Sequence, residues 1–226
     1  MSEAYEGSEK RYWNERIRGK DRYTAIGRRS LPETINRHRK VSLYGVIDAA
    51  LEAVGLDLAG ARVLDAGCGT GVYSEHYGAS GAQVAGVDLS LEGLRATRRH
   101  GVPGAFAVAS LSRLPFGDRR FDLTHVFSVL YHVVDDGEWR ASLAELSRVT
   151  RPGGVLLMRI EWVESGSRVS EHVKHRPKDD YLGILTGEEG FSLAGVHPFR
   201  DVVPLQPAFA LAHRVLPTTV SEGIAT

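Results

Sequence analysis

The chain has 226 residues, 42% of them hydrophobic and 25% charged, the make-up of an ordinary soluble globular protein expected to fold as one domain. Twenty-eight basic side chains balance twenty-eight acidic ones, so net charge gives no reason to expect nucleic acid or an anionic membrane as partner. No apolar run approaches the ~20 residues of a membrane span, and residues 1–13 lack a signal-type apolar stretch. The single cysteine, Cys68, cannot form an intrachain disulfide, so a cytoplasmic location is expected.

Residues 1–30 are polar and aromatic by turns (Tyr5, Tyr12, Trp13, Tyr23) with no sustained period. Pro32 then opens a helix to about Ala53, with Val41, Leu43, Tyr44, Ile47, Ala50, Leu51 and Val54 recurring at three- and four-residue steps. Gly55 and Gly60 end it. Short apolar runs follow at 61–65, 83–87, 104–108, 121–127 and 154–160, separated by helical patterns near 71–78, 90–99 and 137–148. This alternation predicts an α/β fold with a parallel sheet and helices on both faces. Pro152-Gly153-Gly154 is a breaker before the fifth strand. Residues 179–188 read as a helix, and 191–201 and 207–216 as two extended runs. The expected organisation is an N-terminal helical cap (1–55), a core (56–216) within the same domain, and a frayed tail (217–226).

The strand at 61–65 runs into Asp65, then into three glycines at alternate positions, Gly67, Gly69 and Gly71. A second acid, Asp88, closes the next strand. Glycines here let the main chain approach a ligand where a Cβ would clash. Asp88, at a strand tip, is placed to accept hydrogen bonds from two ribose hydroxyls. A dinucleotide fingerprint would need a small residue at position 72, which is Val72, and no Walker sequence follows. The loop suits a nucleoside without a pyrophosphate.

Val63 to Gly71 resembles motif I of class I S-adenosylmethionine-dependent methyltransferases, and Asp88 looks like their ribose-binding acid. Ser110 to Asp122, with its Leu114-Pro115-Phe116 core, is similar to a further family segment. Thr124 to His132 resembles the fourth strand and its loop, and Arg148 to Gly154 the turn before the fifth strand. The resemblance spans about residues 60 to 160. It implies a Rossmann-like doubly wound sheet of seven strands, mostly parallel with an antiparallel C-terminal strand, under a helical N-terminal cover. It implies S-adenosylmethionine as methyl donor, S-adenosylhomocysteine as product, and donor-binding roles for Asp65, Gly67, Cys68, Gly69, Gly71, Asp88, Leu89, Ser110, Leu111 and Ser128. Ser110 departs from the family, which usually has an aspartate there to meet the adenine amine; a surface-turn serine is an equal account.

After the fourth strand there is no Asn/Asp-Pro-Pro-Tyr/Phe, which in amino-methylating DNA and glutamine enzymes grips a planar amide or amine, and no Pro-Cys, which excludes the covalent cytosine mechanism. His132 resembles a histidine found here in small-molecule members and is a general-base candidate; capping or packing is its structural alternative. Glu161 is the second catalytic candidate, with a solvated loop carboxylate as alternative. Tyr12, Trp13, Arg37, Tyr131 and Trp162 are the substrate-binding candidates. His125 reads as packing, and the connector carrying His172, Lys174, His175 and Arg176 as a polar lid. No metal-ligand spacing stands out. The implied function is methyl transfer to an O, N or C atom of a small molecule, by a monomer or homodimer. RNA or protein methylation, and donor binding without methyl transfer, are the alternatives.

Overall fold

The computed structural model describes residues 3–198 and 207–214, so the tail expected at 217–226 lies outside the described residues. Three helices come first, α1 (Glu3–Ile17), α2 (Arg22–Ala25) and α3 (Glu33–Ala53). The core follows as β1 (Arg62–Ala66), α4 (Val72–Ala79), β2 (Gln83–Asp88), α5 (Leu91–Arg99), β3 (Ala105–Val108), β4 (Phe121–Phe127), a 3-10 turn at Leu130–His132, α6 (Asp136–Val149) and β5 (Thr150–Glu161). A hairpin of β6 (Arg168–Ser170) and β7 (Val173–His175) precedes α7 (Lys178–Leu182), a π-type turn (Gly183–Glu188), β8 (Phe191–Pro198) and β9 (Pro207–Arg214).

The main sheet has seven strands in the order β3-β2-β1-β4-β5-β9-β8. The first five are parallel, and β9 runs antiparallel between β5 and β8. Strand order reverses between β1 and β4, and in such sheets ligands bind outside the carboxyl ends of the strands at that point. Successive side chains point to opposite faces. Along β5, Leu156, Met158 and Ile160 join α6, Tyr181 and Leu185 on one side, while Val155 and Leu157 join α3 and α4 on the other. Both faces are therefore covered by helix, which is what near-continuous apolar strands require.

Three features are not given by local sequence pattern. Residues 3–17 form a helix although they carry no apolar stripe. Particular contacts hold it: Ile17 is buried, and Asn14 Oδ1 accepts from the Ser90 hydroxyl (3.0 Å) and the Glu92 N–H (2.9 Å) at the start of α5. The polar connector contains the β6–β7 hairpin. Finally, β5 begins at Thr150, opposite Phe121, and the ladder resumes at Val155 opposite Leu123, so Pro152-Gly153-Gly154 forms a bulge inside the strand rather than a break before it.

Candidate active site

The glycine loop joins β1 to α4 at the switch point. Gly67 has φ +80°, and a Cβ there would run into the Val129 side chain, so only glycine fits. The Gly67 and Cys68 N–H groups donate to the Val87 carbonyl (2.8 and 2.9 Å). The Gly69 N–H donates to Asp88 Oδ2, and the Ser90 N–H to Asp88 Oδ1, both at 2.8 Å. Burial pushes the Asp88 carboxyl up to about 6, against the lowering effect of these two N–H donors. Asp65 is buried; it accepts from the Ser74 hydroxyl (2.6 Å) and from His125 Nδ1 (3.2 Å). Burial holds His125 below the ordinary histidine range despite Asp65, so this contact is a neutral imidazole donating to a carboxylate.

Nine of the expected donor-binding residues line one cavity: Asp65, Gly67, Cys68, Gly69, Asp88, Leu89, Ser110, Leu111 and Ser128. Gly71 is the correction. It lies behind the loop as the left-handed N-cap of α4, where a Cβ would press on Thr97 (2.7 Å). Ser110 faces the cavity with its Oγ bonded to Ser112 Oγ (2.9 Å), and burial raises the Cys68 thiol well above its usual range. The N-terminal segment adds Glu9, Trp13, Ile17, Ile26 and Lys40 to the walls. The charged lining is four carboxylates (Glu9, Asp65, Asp88, Glu138) and one ammonium, Lys40.

A second cavity adjoins the first through Ile26, Lys40, Ser128 and His132, which line both. Its charge is opposite: Arg16, Arg28, Arg39, Lys40 and Arg159 against the single acid Glu161. Arg159 is buried on the sheet; its Nη1 donates to the Ser128 hydroxyl, its carbonyl accepts the Ser128 N–H (3.1 Å), and its Nη2 lies 4.0 Å from Glu161. Ser128 itself sits at φ +60°, a strained conformation for a serine. His132 Nδ1 lies 2.8 Å from the His172 carbonyl, so it carries the proton and Nε2 the lone pair. Burial lowers this histidine to about 4, so it is neutral across the physiological range. Tyr131 lines the same cavity, its phenol raised by burial to about 12.

Three substrate-binding candidates fall elsewhere. Arg37 is exposed, because α3 turns Asn36, Lys40, Leu43 and Ile47 inward and leaves position 37 outside. Trp162 follows Glu161 on β5, so strand alternation turns it away; it packs on the core with Lys178 over its ring at 6.0 Å. Tyr12 lines neither cavity, and stacks on His172 (4.0 Å) behind Trp13, which meets His132 edge-on (4.8 Å). Two residues that hold the walls of these cavities are absent from the sequence reading. Arg22, on α2, donates to the carbonyls of Thr70 (3.2 Å) and Gly71 (2.8 Å) and to Glu75 (2.7 Å), clamping the glycine loop. Arg159 interrupts the apolar run of β5, a readable signal. Among the described residues no cluster of His, Cys, Asp or Glu could hold a metal, and no helix is long and apolar enough to cross a membrane.

Sheet order, glycine loop and the acid ending β2 define a Rossmann-like nucleoside-binding domain. Residues 64–158 match the family model described as a methyltransferase domain. A demethylmenaquinone methyltransferase from Corynebacterium urealyticum is 44% identical over 102 residues, 45% of this chain and 42% of that protein. The chain thus spans less than half the length of the curated relatives it matches. Among solved structures, the magnesium protoporphyrin IX methyltransferase of Synechocystis, with bound S-adenosylmethionine, superimposes with TM-score 0.69 at 21% identity, covering 92% of this chain and 96% of that one. The [4+2]-cyclase SpnF has TM-score 0.57 at 24% identity, over 69% of this chain and 59% of its own. Over residues 64–158 the chain is thus similar to methyltransferase domains, and its fold is that of S-adenosylmethionine-dependent methyltransferases of known structure.

Proposed function

We propose that this protein transfers a methyl group from S-adenosylmethionine to an oxygen, nitrogen or carbon atom of a small-molecule acceptor. The observation that carries the reading is Asp88. Each of its carboxylate oxygens accepts one backbone N–H, and a carboxylate oxygen has a second acceptor site. A half-buried carboxylate facing a cavity with spare acceptor capacity suits the two hydroxyls of a ribose, and the four acids of that cavity suit a cationic sulfonium. Asp65, Gly67, Gly69, Leu89, Ser110 and Leu111 would hold the rest of the donor.

When bound, S-adenosylmethionine supplies a methyl group on a good leaving group, so the chain's task is chiefly alignment and exclusion of water. Trp13 and Ile17 of α1 close one side of the donor cavity, and the Asn14 contacts to α5 fasten that cover. Ser128 and His132 stand at the junction of the cavities, where an acceptor atom meets the donor. His132 would take a proton at Nε2, with Nδ1 anchored on the His172 carbonyl; Glu161 is the other proton acceptor of the second cavity. In this reading residues 1–55 are the cover of one domain whose core is 56–216.

The test is incubation with methyl-labelled S-adenosylmethionine and a metabolite library, read as a mass gain of ~14 Da, with loss of signal in Asp88→Ala. Donor binding without label in any small molecule overturns the reading; label in added RNA or protein moves the acceptor to those classes.

A further inference from the structure

The two adjoining cavities differ in charge more than a shared pocket wall requires, and the difference is specific. The second cavity gathers five basic side chains around one carboxylate. Its innermost cation, Arg159, is 7% exposed and rises from the central sheet, where a guanidinium cannot shed its charge. Its protein partners leave that charge poorly matched. Nη1 bonds a neutral hydroxyl, Nε is buried without a hydrogen-bond partner, and the nearest carboxylate, Glu161, stands at 4.0 Å, beyond hydrogen-bond reach. Arg16, on the cover, repeats the pattern: Nη2 donates to the Gly27 carbonyl (2.7 Å), and its buried Nε has no partner. A buried cation whose one carboxylate partner stands at 4.0 Å, outside hydrogen-bond contact, gains from a closer negative charge.

We propose that the second cavity binds an oxyanion carried by the methyl acceptor, a carboxylate or a phosphate, with Arg159 as its buried ligand and Arg16 closing on it from the cover. The fork of a guanidinium matches either group in two-point fashion. Ser128, bonded to Arg159 and lining both cavities, ties the anion's position to the donor side. The site would select acidic small molecules and disfavour amines, which meet only Glu161. Calling the bound anion an acceptor rests on the methyl-transfer reading; the anion site itself does not.

The experiment is titration calorimetry on the full chain with benzoate and with inorganic phosphate, each with and without saturating S-adenosylhomocysteine. Wild type is expected to bind at least one probe, benzoate indicating a carboxylate site and phosphate a phosphoryl site. Arg159→Gln should weaken that binding by about tenfold or more, and Arg16→Gln by about threefold or more. Arg140→Gln, a surface control, should leave both probe binding and the affinity for S-adenosylhomocysteine within about twofold of wild type. If Arg159→Gln does not fold, Arg159→Lys and Arg16→Gln decide. Absence of binding by either probe up to about 10 mM, or undiminished binding in the charge-removing variants, overturns the proposal. Failure of the methyl-transfer reading shows separately, as absent S-adenosylhomocysteine binding or absent label transfer.

Discussion

Gly93, in the first turn of α5, gives a test in which one substitution type must act with opposite signs at two helix positions. Alanine in a helix is favoured over glycine by about 1 kcal/mol. Gly45 in α3 has nothing within 4 Å of a built Cβ, so Gly45→Ala should realise that gain. At Gly93 the same Cβ would lie 2.8 Å from the carbonyl oxygen of Gly69 and 3.2 Å from its carbon, which are backbone atoms of the glycine loop. That oxygen also accepts from Thr97 (3.1 Å), while the Gly69 N–H is held by Asp88, so the loop gives way only by disturbing Asp88. Overpacking of this kind costs about 1–3 kcal/mol, which exceeds or cancels the propensity gain. Gly93→Ala should therefore be less stable than Gly45→Ala by about 2 kcal/mol in urea titrations followed by circular dichroism. It should also bind S-adenosylhomocysteine more weakly. A Gly93→Ala protein as stabilised as Gly45→Ala, with wild-type ligand affinity, would refute the reasoning.

Asp88 predicts a pH signature of definite sign. Its folded value, about 6, lies above the ordinary carboxyl range, so its contribution to stability is fully present below about pH 4 and is lost as pH rises through 6. The loss is at most about 3 kcal/mol, seen as a falling urea midpoint between pH 4 and 7 that Asp88→Asn flattens. Ligand affinity should run the other way, weakening as pH drops through 6, because ribose hydroxyls need the ionised acceptor. Arg22→Ala should lower stability by about 2–4 kcal/mol and weaken donor binding, since three contacts to residues 70, 71 and 75 vanish together; Arg22→Lys should not restore them. His132→Gln should reduce kcat by about 10²–10⁴ with unchanged S-adenosylhomocysteine affinity if the acceptor loses its proton in the reaction, and the wild-type pH profile should show no limb near 6.5.

The sheet was legible in the sequence because its strands are short apolar runs and its loop glycines are fixed by local clashes such as that of Gly67 with Val129. Asp65 and Asp88 could be placed because each ends a strand. The cover was expected as helical, but its contacts were not legible. Residues 3–17 have no apolar stripe, and their helix is held by partners such as Ser90, 76 positions away from Asn14, which no local pattern reveals. Arg22 is likewise 49 positions from the Gly71 carbonyl it holds. Choosing Arg37 from the basic run was a matter of helix phase, since Arg39 and Lys40 in the same run face the cavity. Glu161 and Trp162 are neighbours in sequence, and only the strand's alternation separates the one that reaches the second cavity from the one that packs behind it. Arg159 was the missed signal with a local cause: one cation within a run of buried apolar residues on the central strand.

The division of walls between the two cavities also bears on divergence. The first chamber draws on the ends of β1 and β2, the loops after them and Glu9, Trp13 and Ile17 of the cover, whereas Arg16, Arg28, Arg39 and Arg159 belong to the second chamber alone. Substitutions at Arg16, Arg28, Arg39 or Arg159 can therefore alter what the second chamber accepts while leaving the walls of the first under separate selection. Ile26, Lys40, Ser128 and His132 face both chambers, and they mark the positions at which those two histories stop being independent.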